Sequence, residues 1–312
     1  MKRLFISILT SVVISGFIWG KESPEEQKNT DQIRWLPFQW QSQNDYFEQT
    51  TNEVMLLNLH IGGIPEVQTF IFNLSTPFSF VYEHGYESMV YRNPDFATRV
   101  ETVQRVSTMK DRILRDLDIT INRNLLGQDH MRIIALDRQT QNDQIKGEMG
   151  FGIFHRYKKI LLVDNTQARF TNLDELPGEI ESKATFVPMR VEAGYIVLPL
   201  TIANREIDMI FDGSSRPALL TFHNRTFRQV ISSEPAAEKL KHINMNGEYS
   251  EVEGYLPKAE VFFQGLPLKN HNIYNVSEKI PGSIRGQISQ AFFSDYIMIF
   301  DYRNERFGLY KP

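Results

Sequence analysis

The chain has 312 residues, no cysteine, and 34 Lys and Arg against 38 Asp and Glu, which gives a formal net charge of −4. The absence of cysteine excludes disulfides, thiolate nucleophiles, iron–sulfur clusters, Cys-ligated zinc and lipidation of an N-terminal cysteine. The mild acidity provides no broad positive field for nucleic acid. The length indicates two domains or one large β domain, and 41% hydrophobic residues are enough for their cores.

The first 20 residues have the order of a secretory signal peptide. Met1–Arg3 begins with two cationic residues, Leu4–Trp19 is apolar apart from Ser, Thr and Gly, and Gly20 is a small residue at the candidate cleavage point. The apolar stretch is shorter than the roughly 20 residues of a membrane span, and an uncleaved signal anchor is the alternative. No later stretch is long and apolar enough to span a membrane. The sequence therefore predicts no stable membrane span after cleavage, and a protein that is secreted or kept in the periplasm or cell envelope.

Beyond a polar lead-in segment (residues 21–50, extended around Ile33–Trp40), short apolar alternations typical of β-strands dominate the chain. The predicted strands of the first half are Leu57–Ile61, Val67–Phe72, Asp111–Ile121, Met131–Leu136 and Lys159–Val163. Those of the second half are Ile196–Ile202 and Ile207–Phe211, and the sequence allows short helices at Phe222–Val230, Pro235–His242 and Ile288–Phe293. The pattern predicts an all-β fold.

The two halves of the chain share three landmarks in the same order, which indicates an internal repeat. Phe70–Val81 aligns without a gap on Met209–Leu220, so that Phe80 matches Leu219. The matched landmarks, with their offsets in residue number, are Asn73 and Asp212 (139), Gly150 and Gly286 (136), and Asp164 and Asp301 (137).

Each half resembles one lobe of the pepsin-like (retropepsin-like) aspartic peptidases, over roughly residues 50–312. In that family a strand runs into Asp-Thr-Gly-Ser/Thr, and an apolar-apolar-Gly element and a strand ending in Asp follow. The stretch Ile299–Leu309 is very similar to the family's closing strand pair. The resemblance implies two homologous aspartic-peptidase-like β-barrel lobes with a central cleft, over residues 51–185 and 186–312.

The same resemblance implies a site that departs from the family at its centre. In the family, one Asp of each lobe shares a proton with the other; the ionised Asp activates water and the protonated one polarises the scissile carbonyl. Here Asp212 is present but Asn73 stands in the first lobe, and an amide cannot carry the shared proton. The family's Thr residues, which brace the two loops, become Leu74 and Gly213. The cleft-loop residues are Leu74, Ser75 and Thr76 in the first lobe and Gly213, Ser214 and Ser215 in the second.

Losing one member of a jointly acting catalytic pair removes most of the rate. The leading hypothesis is therefore an exported, catalytically silent homologue that binds an extended peptide or protein segment between its lobes. One alternative is an active aspartic endopeptidase with an atypical site, and another is a structural or assembly protein of the cell envelope. A cleft filled by the protein's own side chains, such as Phe78 or Phe80, would favour the structural alternative.

Other residue types suggest no further chemistry. The seven histidines lack the spacing of metal ligands, and no motif for a cofactor is present, so neither a metal nor a cofactor is predicted. No nucleic-acid partner is predicted either. Tyr82, Tyr86 and Tyr91 lie near the Asn73 loop and are interpreted as packing residues only.

Overall fold

A computed structural model describes residues 33–44, 51–106, 109–135, 143–202, 204–213, 219–221, 224–243, 249–268, 272–275 and 283–312. The predicted signal peptide and most of the lead-in segment lie outside these residues. The extended piece around Ile33–Trp40 is confirmed, because Leu36–Pro37 and Gln39–Asn44 are strands.

The described residues are mainly in strands. In chain order these are β1 (Leu36–Pro37), β2 (Gln39–Asn44), β3 (Thr51–Ile61), β4 (Gln68–Asn73), β5 (Ser79–Tyr82), β6 (Val100–Val106), β7 (Met109–Ile121), β8 (Asn124–Ile134), β9 (Ile145–Gly150), β10 (Ile160–Asp164), β11 (Arg169–Leu173), β12 (Thr185–Pro188), β13 (Arg190–Glu192), β14 (Tyr195–Ile202), β15 (Arg205–Asp212), β16 (Leu219–Thr221), β17 (Ile231–Ile243), β18 (Tyr249–Pro257), β19 (Val261–Phe263), β20 (Leu266–Pro267), β21 (Ile273–Asn275), β22 (Gly286–Ser289), β23 (Ile297–Asp301) and β24 (Arg306–Tyr310). The helices are α1 (Glu83–Arg92), α2 (Gly152–Arg156), α3 (Gly178–Lys183), α4 (Asn224–Val230) and two 3-10 helices, Pro94–Arg99 and Gln290–Phe293.

The first half forms an eight-stranded sheet that closes on itself. Its order is β2-β3-β4-β9-β5-β8-β7-β6, and β3 also pairs with β7. Six of the strands therefore form a closed barrel. Leu57, Leu59 and Ile61 alternate into its interior along β3, as the sequence predicts.

The second half forms a ten-stranded sheet with the order β17-β18-β21-β16-β22-β15-β14-β19-β20, to which β13 is added through β14. The central arrangement repeats that of the first half. Strand β15 runs parallel to β22, as β4 runs parallel to β9.

A six-stranded antiparallel sheet, ordered β1-β11-β10-β23-β24-β12, combines strands from both halves. At its centre β10 pairs with β23, and Leu162 lies opposite Ile299. These two residues are 137 apart in the sequence, the same offset that relates Asp164 to Asp301. A two-fold rotation about this pair therefore exchanges the two strands, so the sequence repeat is a real pseudo-symmetry.

Strand pairing corrects one landmark of the repeat. Asn73 lies opposite Gly150, but Asp212 lies opposite Ser289, not Gly286. Ser289 is therefore the counterpart of Gly150, at the same offset of 139 that relates Asn73 to Asp212. The match of Gly150 with Gly286 was wrong because the second lobe has no glycine at the strand end.

The true counterpart of Gly286 is Gly147, and close packing explains the glycine there. A Cβ added at Gly147 would overlap the carbonyl oxygen of Phe80.

The gapless alignment also needs a correction of one residue. Phe80 lies opposite Glu148, whereas Leu220, not Leu219, lies opposite the equivalent Gln287, so the second loop is one residue longer.

The same pseudo-symmetry organises the aromatic core. Phe72, Phe154 and Phe170 contact one another in the first half, with ring centroids 5.1–6.5 Å apart. Their counterparts in the second half form a matching cluster with centroids 5.3–6.2 Å apart, and these are Phe211, Phe293 and Phe307. All six rings are almost completely buried, and rings at these separations attract one another beyond the effect of burial.

Two of the three helix predictions hold. Asn224–Val230 is helical, and Gln290–Phe293 is a 3-10 turn. Pro235–His242 is not a helix but part of strand β17, because this segment pairs with β18. Helix α1 was not predicted. Among the described residues, no helix has the length and apolarity to cross a membrane.

Candidate functional site

Asn73 and Asp212 are the last residues of two equivalent strands, one in each lobe. Asn73 ends β4, which is paired with β9, and Asp212 ends β15, which is paired with β22. Both side chains are half-buried. Ser75, after the first strand, contacts Asp212 and Gly213 at the end of the second, so the topology brings the two strand ends together at the seam between the lobes.

The Asn73 side chain is fixed by two hydrogen bonds. Its amide nitrogen donates to Glu148 Oε2 over 2.7 Å, and its Oδ1 accepts a hydrogen bond of 2.8 Å from the backbone N–H of Ser75. An amide can donate to a carboxylate on one side while it accepts from the backbone on the other, whereas an ionised aspartate could only accept. This position is therefore adapted to asparagine.

Glu148 brings a carboxylate to the site that the sequence reasoning did not identify. The Tyr82 hydroxyl donates to Glu148 Oε1 over 2.7 Å. Burial raises the pKa of Tyr82 well above its ordinary value, and the negative charge of Glu148 and the hydrogen bond to it raise it further. Tyr82 therefore remains a donor at all ordinary pH values, and its interpretation as a packing residue only was incomplete.

Ser75 links the two lobes. Its hydroxyl donates to Asp212 Oδ1 over 2.8 Å and accepts a hydrogen bond of 2.8 Å from the backbone N–H of Gly213. Leu74 is fully buried beside this link, and a Cβ added to Gly213 would lie 3.1 Å from Leu74 Cβ. The resemblance assigns the bracing role to threonines at the positions of Leu74 and Gly213; here Ser75 supplies the bridging hydroxyl.

Substitution of Ser75 by Ala should weaken this seam. The change removes one hydrogen bond to a carboxylate and leaves the Gly213 N–H without its acceptor, so we expect a loss of about 1–2 kcal/mol in the free energy of unfolding. Urea denaturation measures the effect. Ser182→Ala is the control, because Ser182 bonds only within its own exposed helix, and it should change stability by less than about 0.5 kcal/mol. An equal effect of the two substitutions would contradict the bridging role.

Thr76 and Phe78 shape the remainder of the first loop. The Thr76 carbonyl accepts from the Phe151 N–H over 2.9 Å, and Thr76 Oγ1 accepts from the Phe78 N–H over 3.2 Å. Phe78 is 46% exposed, and the guanidinium carbon of Arg132 lies 4.6 Å from the centre of its ring. Phe78 therefore does not fill a buried space between the lobes.

The structure thus joins five of the predicted site residues at one seam, which are Asn73, Leu74, Ser75, Asp212 and Gly213. Ser214 and Ser215 lie outside the described residues. The sequence signal for Glu148 was its place two residues before Gly150, in the segment that pairs with β4. Within the described ranges, no group of three or more His, Asp or Glu side chains is arranged to hold a metal ion.

Comparison with known proteins supports the fold and nothing finer. No family model matches the sequence, and no curated protein matches it. Among solved structures, conglutin gamma, a basic 7S globulin from lupine seeds, superposes with a TM-score of 0.51 at 9% identity, over 90% of this chain and 96% of that one. The basic 7S globulin from soybean gives a TM-score of 0.49 at 9% identity, over 89% and 95%. The superposition on the lupine protein, together with the two equivalent halves described above, confirms the predicted all-β, bilobal fold class.

Proposed function

We propose that this chain is an exported, catalytically silent protein of the aspartic-peptidase fold that binds an extended peptide or protein segment between its lobes. The observation that carries the proposal is the fixed amide of Asn73. It stands where the family needs a carboxylate, and Glu148 and Ser75 already occupy its donor and its acceptor. Asp212 therefore has no carboxylate at the equivalent position with which to share a proton.

Peptide binding is supported by the character of the loop beside the seam. An extended peptide is held by main-chain hydrogen bonds, and alternate side chains contact the walls of the groove. Phe78 offers a half-exposed ring, and Arg132 fixes that ring from one side. An aromatic side chain on a braced loop is a suitable contact for an apolar residue of a ligand.

An active peptidase is the second candidate, and Glu148 is the observation in its favour, because it provides a carboxylate beside Asn73. Hydrolysis of denatured protein and peptide libraries, assayed from roughly pH 3 to 7, separates the two candidates. We expect no turnover by the full chain. Turnover that Asp212→Ala abolishes would overturn the silent proposal.

Binding is tested with short fluorescent peptides of random sequence, whose anisotropy is followed as protein is added. Phe78→Ala should weaken binding by about tenfold, the effect of removing a moderately important interface aromatic. Tyr91→Ala is the matched control, because Tyr91 is an aromatic that is 88% exposed on helix α1. Binding that is absent for the wild-type chain, or that is weakened equally by both substitutions, would count against a cleft ligand.

A further inference from the structure

Glu148 is a half-buried carboxylate whose described partners are both neutral. It accepts one hydrogen bond from the Asn73 amide and one from the Tyr82 hydroxyl. No ion pair with Glu148 is formed by a Lys, Arg or His within the described part of the chain. A carboxylate has about four acceptor positions, so Glu148 retains capacity for further donors.

Two cationic side chains of the same sheet have other partners. Lys146 lies two residues before Glu148 on β9, but its ammonium donates to the backbone carbonyl of Asp143. The backbone of Arg132 lies on β8, two strands and so about 10 Å away from β9, and its guanidinium covers the Phe78 ring. Asp212, the other carboxylate at the seam, carries the same sign of charge. Among the described residues, the charge of Glu148 is therefore not neutralised by a neighbouring cation.

We propose that the interlobe cleft selects peptides that place a lysine or arginine side chain against Glu148. This inference rests on the proposed peptide-binding function and specifies its ligand. A charged donor would make a charge-assisted hydrogen bond to a carboxylate that is partly removed from water, where such bonds are about twice as strong as neutral ones. Phe78, on the same side of the seam, would contact the apolar part of the peptide.

The pseudo-symmetry limits this preference to one side of the cleft. Glu148 lies two residues before Gly150, and its counterpart, two residues before Ser289, is Gln287. The second lobe therefore presents a neutral amide where the first presents a charge. A glutamine at position 148 also fits the local pattern, since its amide oxygen can accept from Asn73 or Tyr82, so Glu148→Gln is a suitable probe that should fold.

The experiment compares one binding peptide with variants in which each position in turn carries Lys, Arg, norleucine or Glu. Anisotropy titrations with the wild-type chain should show one position at which Lys or Arg binds about tenfold or more tighter than norleucine. Glu148→Gln should abolish this preference, so that the Lys, Arg and norleucine peptides bind this variant with similar affinities. Glu260→Gln removes the same charge from an exposed position in the second lobe and should preserve the preference.

The outcomes separate the two proposals. Peptides that do not bind the wild-type chain at all would overturn the proposed function. Peptides that bind with no preference for Lys or Arg at any position, or with a preference that survives Glu148→Gln, would overturn this inference alone. Circular dichroism and thermal unfolding of Glu148→Gln confirm that its effect on binding does not come from loss of the fold.

Discussion

Substitution of Asn73 by Asp is expected to destabilise the protein by about 3 kcal/mol at neutral pH and to produce no peptidase. The new carboxylate would lie at the position of an amide nitrogen that is 2.7 Å from Glu148 Oε2, so a hydrogen bond would be replaced by a contact between like charges. The introduced carboxyl would share a proton with Glu148, and it would not be free to share one with Asp212. Urea denaturation at several pH values measures the cost.

The pH dependence has a definite sign. In the folded variant, repulsion raises the pKa of one carboxyl of the pair above its unfolded value. The loss in the free energy of unfolding, relative to the wild-type chain, is then smallest near pH 4, where the pair binds a proton. This loss grows as pH rises through the raised pKa. Combining Asn73→Asp with Glu148→Gln should recover most of the stability. Peptidase activity in Asn73→Asp alone, or a loss of stability that does not change with pH, would contradict the pairing of the new carboxyl with Glu148.

The fold was predictable because its main signals are local or repeated. Strand alternation predicted the second half of β3, and the repeat around Asn73 and Asp212 located two equivalent strand ends. The Phe clusters carry a further signal that the sequence contains, since their members recur at offsets of 137 or 139. Such features can be read along one chain.

The details of the site could not be read in this way, because they depend on contacts between distant residues. Ser75 contacts Asp212 and Gly213 over more than a hundred residues of sequence, and Glu148 contacts Asn73 across two paired strands. Strand β17 shows the same limit for secondary structure. Its sequence allows a short helix, and its strand conformation is evident only from its pairing with β18. A shared residue type was even misleading, because the glycine at 286 was matched with Gly150 although its counterpart is Gly147.

The largest effect on stability is expected at the centre of the structure, where two Asp–Arg pairs are related by the pseudo-symmetry. Asp301 accepts hydrogen bonds from Arg306 Nε (2.7 Å), from the Asn304 side chain (2.8 Å) and from the Asn304 backbone (3.0 Å). Asp164 is held by Arg169 Nε at 3.0 Å and by one backbone N–H. Each arginine also covers an aromatic ring, Phe186 in one case and Trp35 in the other.

Asp301→Ala should therefore lower the free energy of unfolding by about 3–5 kcal/mol, because it removes one partner of a buried ion pair and leaves the Asn304 donors unsatisfied. Asp164→Ala should cost less, since Asp164 has fewer donors and a longer bond to its arginine. Asp174→Ala is the matched control, because Asp174 is 82% exposed and its ion pair with Lys159 contributes no more than about 1 kcal/mol. Chemical denaturation of the three variants measures their stabilities, and the loss should be largest for Asp301→Ala and smallest for Asp174→Ala.

The effect of Asp301 should also depend on pH in a particular direction. Burial acts to raise the pKa of its carboxyl, but hydrogen bonds from Asn304 and Arg306 outweigh it and hold the pKa below its ordinary value. A lowered folded pKa means that the carboxylate contributes its full stabilisation above about pH 4 and loses it as pH falls through the folded pKa. The difference between the wild-type chain and Asp301→Ala should consequently shrink between pH 7 and pH 2, while Asp174→Ala stays close to the wild type throughout. A difference that is the same at both ends of this range would show that packing, and not the charge of Asp301, stabilises the closing strand pair.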